Sequence, residues 1–479
     1  MSQMVRPHPN PPRQAGEGGT STAGAGGWGL FARQALLVAI LLLTFALPFA
    51  PDAAAMQIQP ITGASGVQAW LVEDHAVPVV TLRFAFPGGA ALDAPGKGGT
   101  AAMVAGMLDE GAGPYDTVEY HRRLDDLAGQ LRFYAGQDEF DGSLRSLKVN
   151  LSDNAELLRL ALAEPRFAPE AVERIRAETL ASLTRQAKNP RSLSGRLWMR
   201  DAFEDHPYGK NADGSETSVA AITRADLVDF AAARFHRRGL LIGVVGDVTA
   251  AEASALIDRV FGGLPIGADE AEIADAKPLD DGALVLSRTA VPQSVVTFGQ
   301  VGPKRDDPHW YAAMVLNDIL GGGGFRGRLM QEIREKRGLA YGVSTQLTPY
   351  RHAGLIVGNV ATENTRVGDT IALIRQEWQR MRDEGPTEAE LEDAKTYLIG
   401  SFPLSLDSTH HIAGLLVQIQ TDRLGIDYLD RRAGLIGGVT LDEARAEAKR
   451  LYDPARLSFA VVGDPPDLKP TRAARDPQL

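Results

Sequence analysis

The 479 residues include 44% hydrophobic and 23% charged side chains, enough to bury two domains of ordinary size. A formal net charge of −11 argues against a nucleic-acid partner, because phosphate recognition needs a basic face. The absence of cysteine excludes a disulfide framework, a lipidated cysteine and any thiolate metal site.

Residues 1–55 separate from the rest. The first thirty are rich in Pro, Gly and Ser, and an apolar run, Ala35 to Leu47, follows Arg33 and ends ahead of Ala53-Ala54-Ala55. This is a signal-peptide pattern, since Pro48, Pro51 and Asp52 interrupt the run before it reaches the ~20 residues of a spanning helix. It predicts a periplasmic or otherwise exported protein, cleaved near Ala55 and free of the membrane afterwards. An uncleaved anchor is the alternative.

Two copies of one pattern fill the remainder. Leu240 to Asp247 and Leu457 to Asp464 both read as β-runs ending in Val-Val-Gly-Asp, and at the same offset Thr223 meets Thr440 and Pro169 meets Pro386. Nearer the start of each copy, Val79-Val80-Thr81 pairs with Val295-Val296-Thr297. The repeat predicts domains over 56–265 and 286–465, a linker over 266–285 and a tail over 466–479. Helical spacing over Ala155 to Ala163 and over Thr387 to Leu398, set among β-runs such as Val79 to Phe86, predicts an α+β class. Each domain would be a mainly antiparallel sheet covered by helices.

Chemistry concentrates in Gly321-Gly-Gly-Gly-Phe-Arg-Gly-Arg-Leu-Met-Gln-Glu-Ile-Arg-Glu-Lys-Arg-Gly-Leu-Ala-Tyr-Gly-Val343. Gly338 is placed to end a helix, so Arg334 falls in its last turn and Tyr341 in the following strand. From the local string alone, a solvated helix-end Arg and a core Tyr are the better reading. With the repeat, the closing β-runs and His206-Pro-Tyr-Gly-Lys210, the segment resembles the pitrilysin/insulysin family of zinc peptidases, which includes the mitochondrial processing peptidases. The resemblance covers nearly the whole chain after the leader. It implies that Arg334 and Tyr341 grip a peptide carbonyl and stabilise the oxyanion formed during hydrolysis.

Active members of that family carry His-x-x-Glu-His on a first-domain helix, with a distant Glu completing the zinc site. Aligned through Gly99-Thr-Ala and Met107-Leu, those positions hold Ala102, Ala105 and Gly106, and the distant ligand falls near Ala181. None offers a ligand atom, so no metal is expected in this chain. Asp109 and Glu110, just beyond, read as a solvated turn before Gly111.

The resemblance therefore implies a non-zinc-binding subunit of a clam-shaped heterodimer, inactive alone. A homologous partner with intact His-x-x-Glu-His would bring zinc, and peptides would be the substrates. The alternative is a peptide-binding or structural scaffold with no part in proteolysis.

Overall fold

The computed structural model describes residues 56–268 and 273–475. The leader on which export was read lies outside them. Among the described residues no helix is long and apolar enough to cross a membrane.

Six strands form the first sheet: β1 (Gln59–Thr62), β2 (Gln68–Glu73), β3 (Val79–Pro87), β4 (Gln130–Ala135), β5 (Glu139–Leu147) and β6 (Leu241–Gly246), in the order β1-β2-β6-β3-β5-β4. Five form the second: β7 (Leu284–Arg288), β8 (Gln293–Val301), β9 (Ala340–Pro349), β10 (Gly354–Glu363) and β11 (Ser458–Gly463), in the order β7-β11-β8-β10-β9. With β1 set aside, the two orders correspond strand for strand. β2 runs parallel to β6 as β7 does to β11, and the other pairs are antiparallel. The predicted α+β class, two sheets covered by helices, is what the chain adopts.

Strand alternation decides which face is core. Val80, Leu82, Phe84 and Phe86 of β3 point one way and are fully buried with Tyr120, Leu158 and Phe261 from the first lobe's own helices. Val296 and Phe298 of β8 do the same with Trp378, Leu316 and Tyr452. The remaining faces are covered by exchange. Helix Pro190–Phe203, from the first half of the sequence, packs on β8 and β11, while helix Thr409–Thr421, from the second half, packs on β3 and β6. Corresponding hydrogen bonds seat the two: Thr81 Oγ1 to Thr409 Oγ1 at 2.8 Å and Ser194 Oγ to Thr297 Oγ1 at 2.9 Å. Gly243 of β6 allows the close approach, because a Cβ there would lie 2.8 Å from the Ala413 carbonyl oxygen and 2.9 Å from Leu416 Cβ.

His206-Pro-Tyr-Gly also ties the halves. Tyr208 is fully buried, its hydroxyl donates to Asp138 at 2.5 Å, and the His352 amide donates to that hydroxyl at 3.1 Å. The Arg351 amide donates to the other Asp138 oxygen at 3.0 Å, so one buried carboxylate receives both lobes. The described part of the linker stretch from residue 273 on runs along this seam, with the Ala276 amide donating to His352 O and the Leu279 amide to Ala202 O. The C-terminal stretch is tied as well: the Thr471 amide donates to Leu284 O, and Arg472 pairs with Asp201 and Asp281.

Candidate functional site

Arg334 and Tyr341 are built from a wide helical turn, Met330–Glu335, and the start of edge strand β9. The helix is anchored at its beginning, where Arg328 forms a two-pronged bond to Glu390 at 2.7 Å on both oxygens. Burial alone would raise the Glu390 pKa; Arg328 and the Thr387 cap outweigh it and hold the group at about 2. At its end Gly338 adopts φ +59° and its amide donates to Arg334 O, while Leu339 donates to Ile333 O. That left-handed stop turns the chain straight into β9.

A register shift then aims Tyr341. Val343 faces Val360 and Ala340 faces Thr362, so β9 carries one extra residue opposite Ala361. Bulges of this kind re-aim a side chain locally. Tyr341 is 85% exposed while Val343 and Thr345 on the same strand are buried. The Arg334 guanidinium lies 4.5 Å from the Tyr341 ring centroid and 4.6 Å from that of Phe325, which rises 58% exposed from the glycine-rich loop. The fold brings Arg334 and Tyr341 side by side. Phe325 was not singled out, although its place inside the glycine run was a signal.

The stack constrains chemistry. With two rings packed against it, the guanidinium offers a ligand its N–H groups, and its Nε is 3.3 Å from Glu335. The tyrosine hydroxyl stands on the same exposed surface. Donors of this kind suit a peptide carbonyl, and more so one acquiring negative charge. The glycine loop keeps the aromatic ring in place through Arg326, which pairs with Asp318 at 3.2 Å and stacks on Tyr397, and through Gln331, which donates to Phe325 O at 2.6 Å.

The degenerate metal positions lie on helix Thr100–Ala105 and just after it. Ala101, Met103, Val104, Met107 and Leu108 are fully buried, whereas Ala102 and Ala105 are half-buried and Gly106 is exposed, on the outward side. Helix Pro169–Gln186 faces this segment, with Ile175 beside Gly106 and Ala181 exposed. Zinc needs imidazole, carboxylate or thiolate donors, and alanine and glycine supply none; these residues do not fit the metal. Asp93 secures the helix start, accepting from the amides of Gly99 at 2.7 Å and Ala101 at 3.0 Å. Burial pushes its pKa up to about 7 against those bonds.

The solvated-turn reading of Asp109 and Glu110 is overturned. Glu110 is only 7% exposed and ion-paired with Arg174, which also holds Glu178, and the Asp109 carboxyl is raised by burial. Together with His121 they bring three ligand atoms within 4.8 Å of one another. Arg174 already neutralises Glu110, so a cation would have to displace it. The His410 and His411 ring centroids are 6.0 Å apart, and His411 bonds Asp407 at 2.6 Å.

Comparison with known proteins agrees with this arrangement. Residues 221–398 match the family described as "Peptidase M16 inactive domain". The chain is 27% identical over 368 residues to an uncharacterized zinc protease of Mycobacterium leprae, covering 76% of this chain and 82% of that one. It is 26% identical over 333 residues to the non-peptidase homolog YmxG of Helicobacter pylori, covering 69% and 77% respectively. Among solved structures, a peptidase M16 inactive domain from Pseudomonas fluorescens superposes with a TM-score of 0.80 at 29% identity, over 88% of this chain and 99% of that one. With its two-sheet architecture and a metal helix lacking ligand atoms, the chain is similar to the pitrilysin-type, M16 peptidases, and its residues 221–398 match their inactive domain.

Proposed function

We propose that the chain is the non-zinc-binding subunit of a heterodimeric pitrilysin-type metallopeptidase, exported by its leader and inactive alone. In this reading Arg334 and Tyr341 donate hydrogen bonds to the scissile carbonyl oxygen as charge develops on it. A homologous subunit with intact His-x-x-Glu-His carries the zinc. The observation that supports this most is the Phe325–Arg334–Tyr341 stack, which spends exposed aromatic surface on fixing one guanidinium at the surface. Ala102, Ala105, Gly106 and Ala181 explain why the partner must bring the metal.

The name of the Helicobacter pylori relative favours a second reading, a peptide-binding or structural scaffold without a part in proteolysis. Tyr341→Phe separates the two, because it removes one donor and keeps the ring over Arg334. In the reconstituted heterodimer it should cut turnover by about 10² to 10³, the usual loss for one oxyanion donor. Unchanged cleavage by an intact heterodimer would remove the pair from the chemistry.

A further inference from the structure

The outer face of the first sheet gathers cations that the Arg334–Tyr341 site does not use. Across β4, β5 and β3, Arg132, Ser143 and Arg83 form one row, and Arg145 stands in the adjacent row between Gln130 and Thr81. Leu82, Phe84 and Leu144 point into the core, so alternation puts all three arginines on the opposite face. Helix Thr409–Thr421 packs on β3 and β6, leaving Arg132 and Arg145 exposed and Arg83 half-buried. A Cβ at Gly414 of that helix would lie 2.7 Å from Arg83 Nη1, so the bare glycine leaves the guanidinium its space.

The surroundings offset the group only in part. Among the described residues no carboxylate lies within ion-pair distance of Arg83, Arg132 or Arg145. The first turn of helix Thr409–Thr421, its positive end, sits beside them. His410 in that turn has its pKa lowered, first by burial and then by Arg83, His411, Arg132 and Arg145. Asp141, one row away on the same face, interacts with Arg83, whose charge lowers its pKa against the larger rise from burial, and Asp407 is engaged by His411. Gathering three arginines without an ion pair among them is unfavourable, and here it occurs in a chain of net charge −11. Arg132 and Arg83 are two strand spacings apart, about 10 Å, wider than one small anion and within reach of two carboxylates on alternate residues of an extended segment, whose backbone positions stand about 7 Å apart and whose side chains flex.

We propose that this face binds the carboxylate side chains of an acidic, extended peptide through Arg83, Arg132 and Arg145. The proposal rests on the peptide-holding reading above and adds the class of peptide.

The test is fluorescence anisotropy on the full chain with three labelled peptides, alternating Ser with Glu, with Gln or with Lys. At low salt the Glu peptide should bind about tenfold more tightly than the Gln peptide, the sum of three modest exposed ion pairs, and high salt should erase the advantage. Arg132→Gln/Arg145→Gln, both at exposed positions, should remove most of it. Arg132→Glu/Arg145→Glu should turn the preference towards the Lys peptide, which a folding defect would not do. Equal binding of the Glu and Gln peptides overturns the acidic-face assignment and leaves the peptide-holding reading standing. Binding of neither overturns both. Competition by inorganic phosphate as effective as the Glu peptide itself would overturn the extended-peptide assignment in favour of a small-anion site.

Discussion

The helix exchange can be tested at one atom. In Gly243→Ala the new methyl would sit 2.8 Å from the Ala413 carbonyl oxygen and 2.9 Å from Leu416 Cβ, both on the helix lent by the second half of the chain. Neither atom can rotate away, so the helix must retreat by about half an ångström to restore ordinary contact. Overpacking of this kind costs about 1–3 kcal/mol, offset by roughly 0.5–1 kcal/mol from replacing a strand glycine. The net loss should be about 1–2 kcal/mol in urea unfolding followed by circular dichroism. Gly414→Ala is the control on the other partner: its methyl meets only the flexible end of Arg83, and a helical glycine is being replaced, so stability should hold or rise by up to ~1 kcal/mol. If Gly243→Ala matched the wild type within ~0.5 kcal/mol, the helix would not be seated on β6 as described.

Two further outcomes concern the seam and its acids. Tyr208→Phe removes the hydroxyl that joins Asp138 to the His352 amide and leaves buried polar groups unpaired, so it should cost about 1–3 kcal/mol by the same unfolding assay. Burial raises the Asp141 pKa to about 6, against an unfolded value near 4, so the folded state binds the extra proton in that window. The Asp141 contribution is therefore fully present below about pH 4 and lost as pH rises through about 6. Asp141→Asn should be more stable than wild type near pH 8, with the gap narrowing below about pH 6 and closing only towards about pH 4; a gap independent of pH would contradict the buried-acid account.

Much of the local structure was legible. Thr387 and Thr440 stand three residues before Glu390 and Glu443, and each pair forms the reciprocal cap that ends a loop and begins a helix. Gly338 marked the helix end because only a residue tolerant of positive φ can make that turn. Arg334 and Tyr341 could be singled out because both lie in one continuous segment. The exchanged helices were not found, since Thr409–Thr421 looks like any amphipathic helix and its contact with Thr81 lies hundreds of residues away. Glu110 was misread for a related reason: an Asp-Glu-Gly string looks solvated unless one knows that Arg174, on a distant helix, supplies the counter-charge. Phe325 was passed over because its role depends on a guanidinium that only folding brings above it.

The division of labour between two chains is tested most directly by mixing. This chain and a homologue bearing His-x-x-Glu-His should be purified separately, analysed for zinc, and assayed for peptide cleavage alone and together. The account predicts zinc in the homologue only, and cleavage that appears in the mixture and in neither chain by itself. One zinc per molecule of this chain, hydrolysis by it unaided, or a mixture no faster than the homologue alone would contradict it.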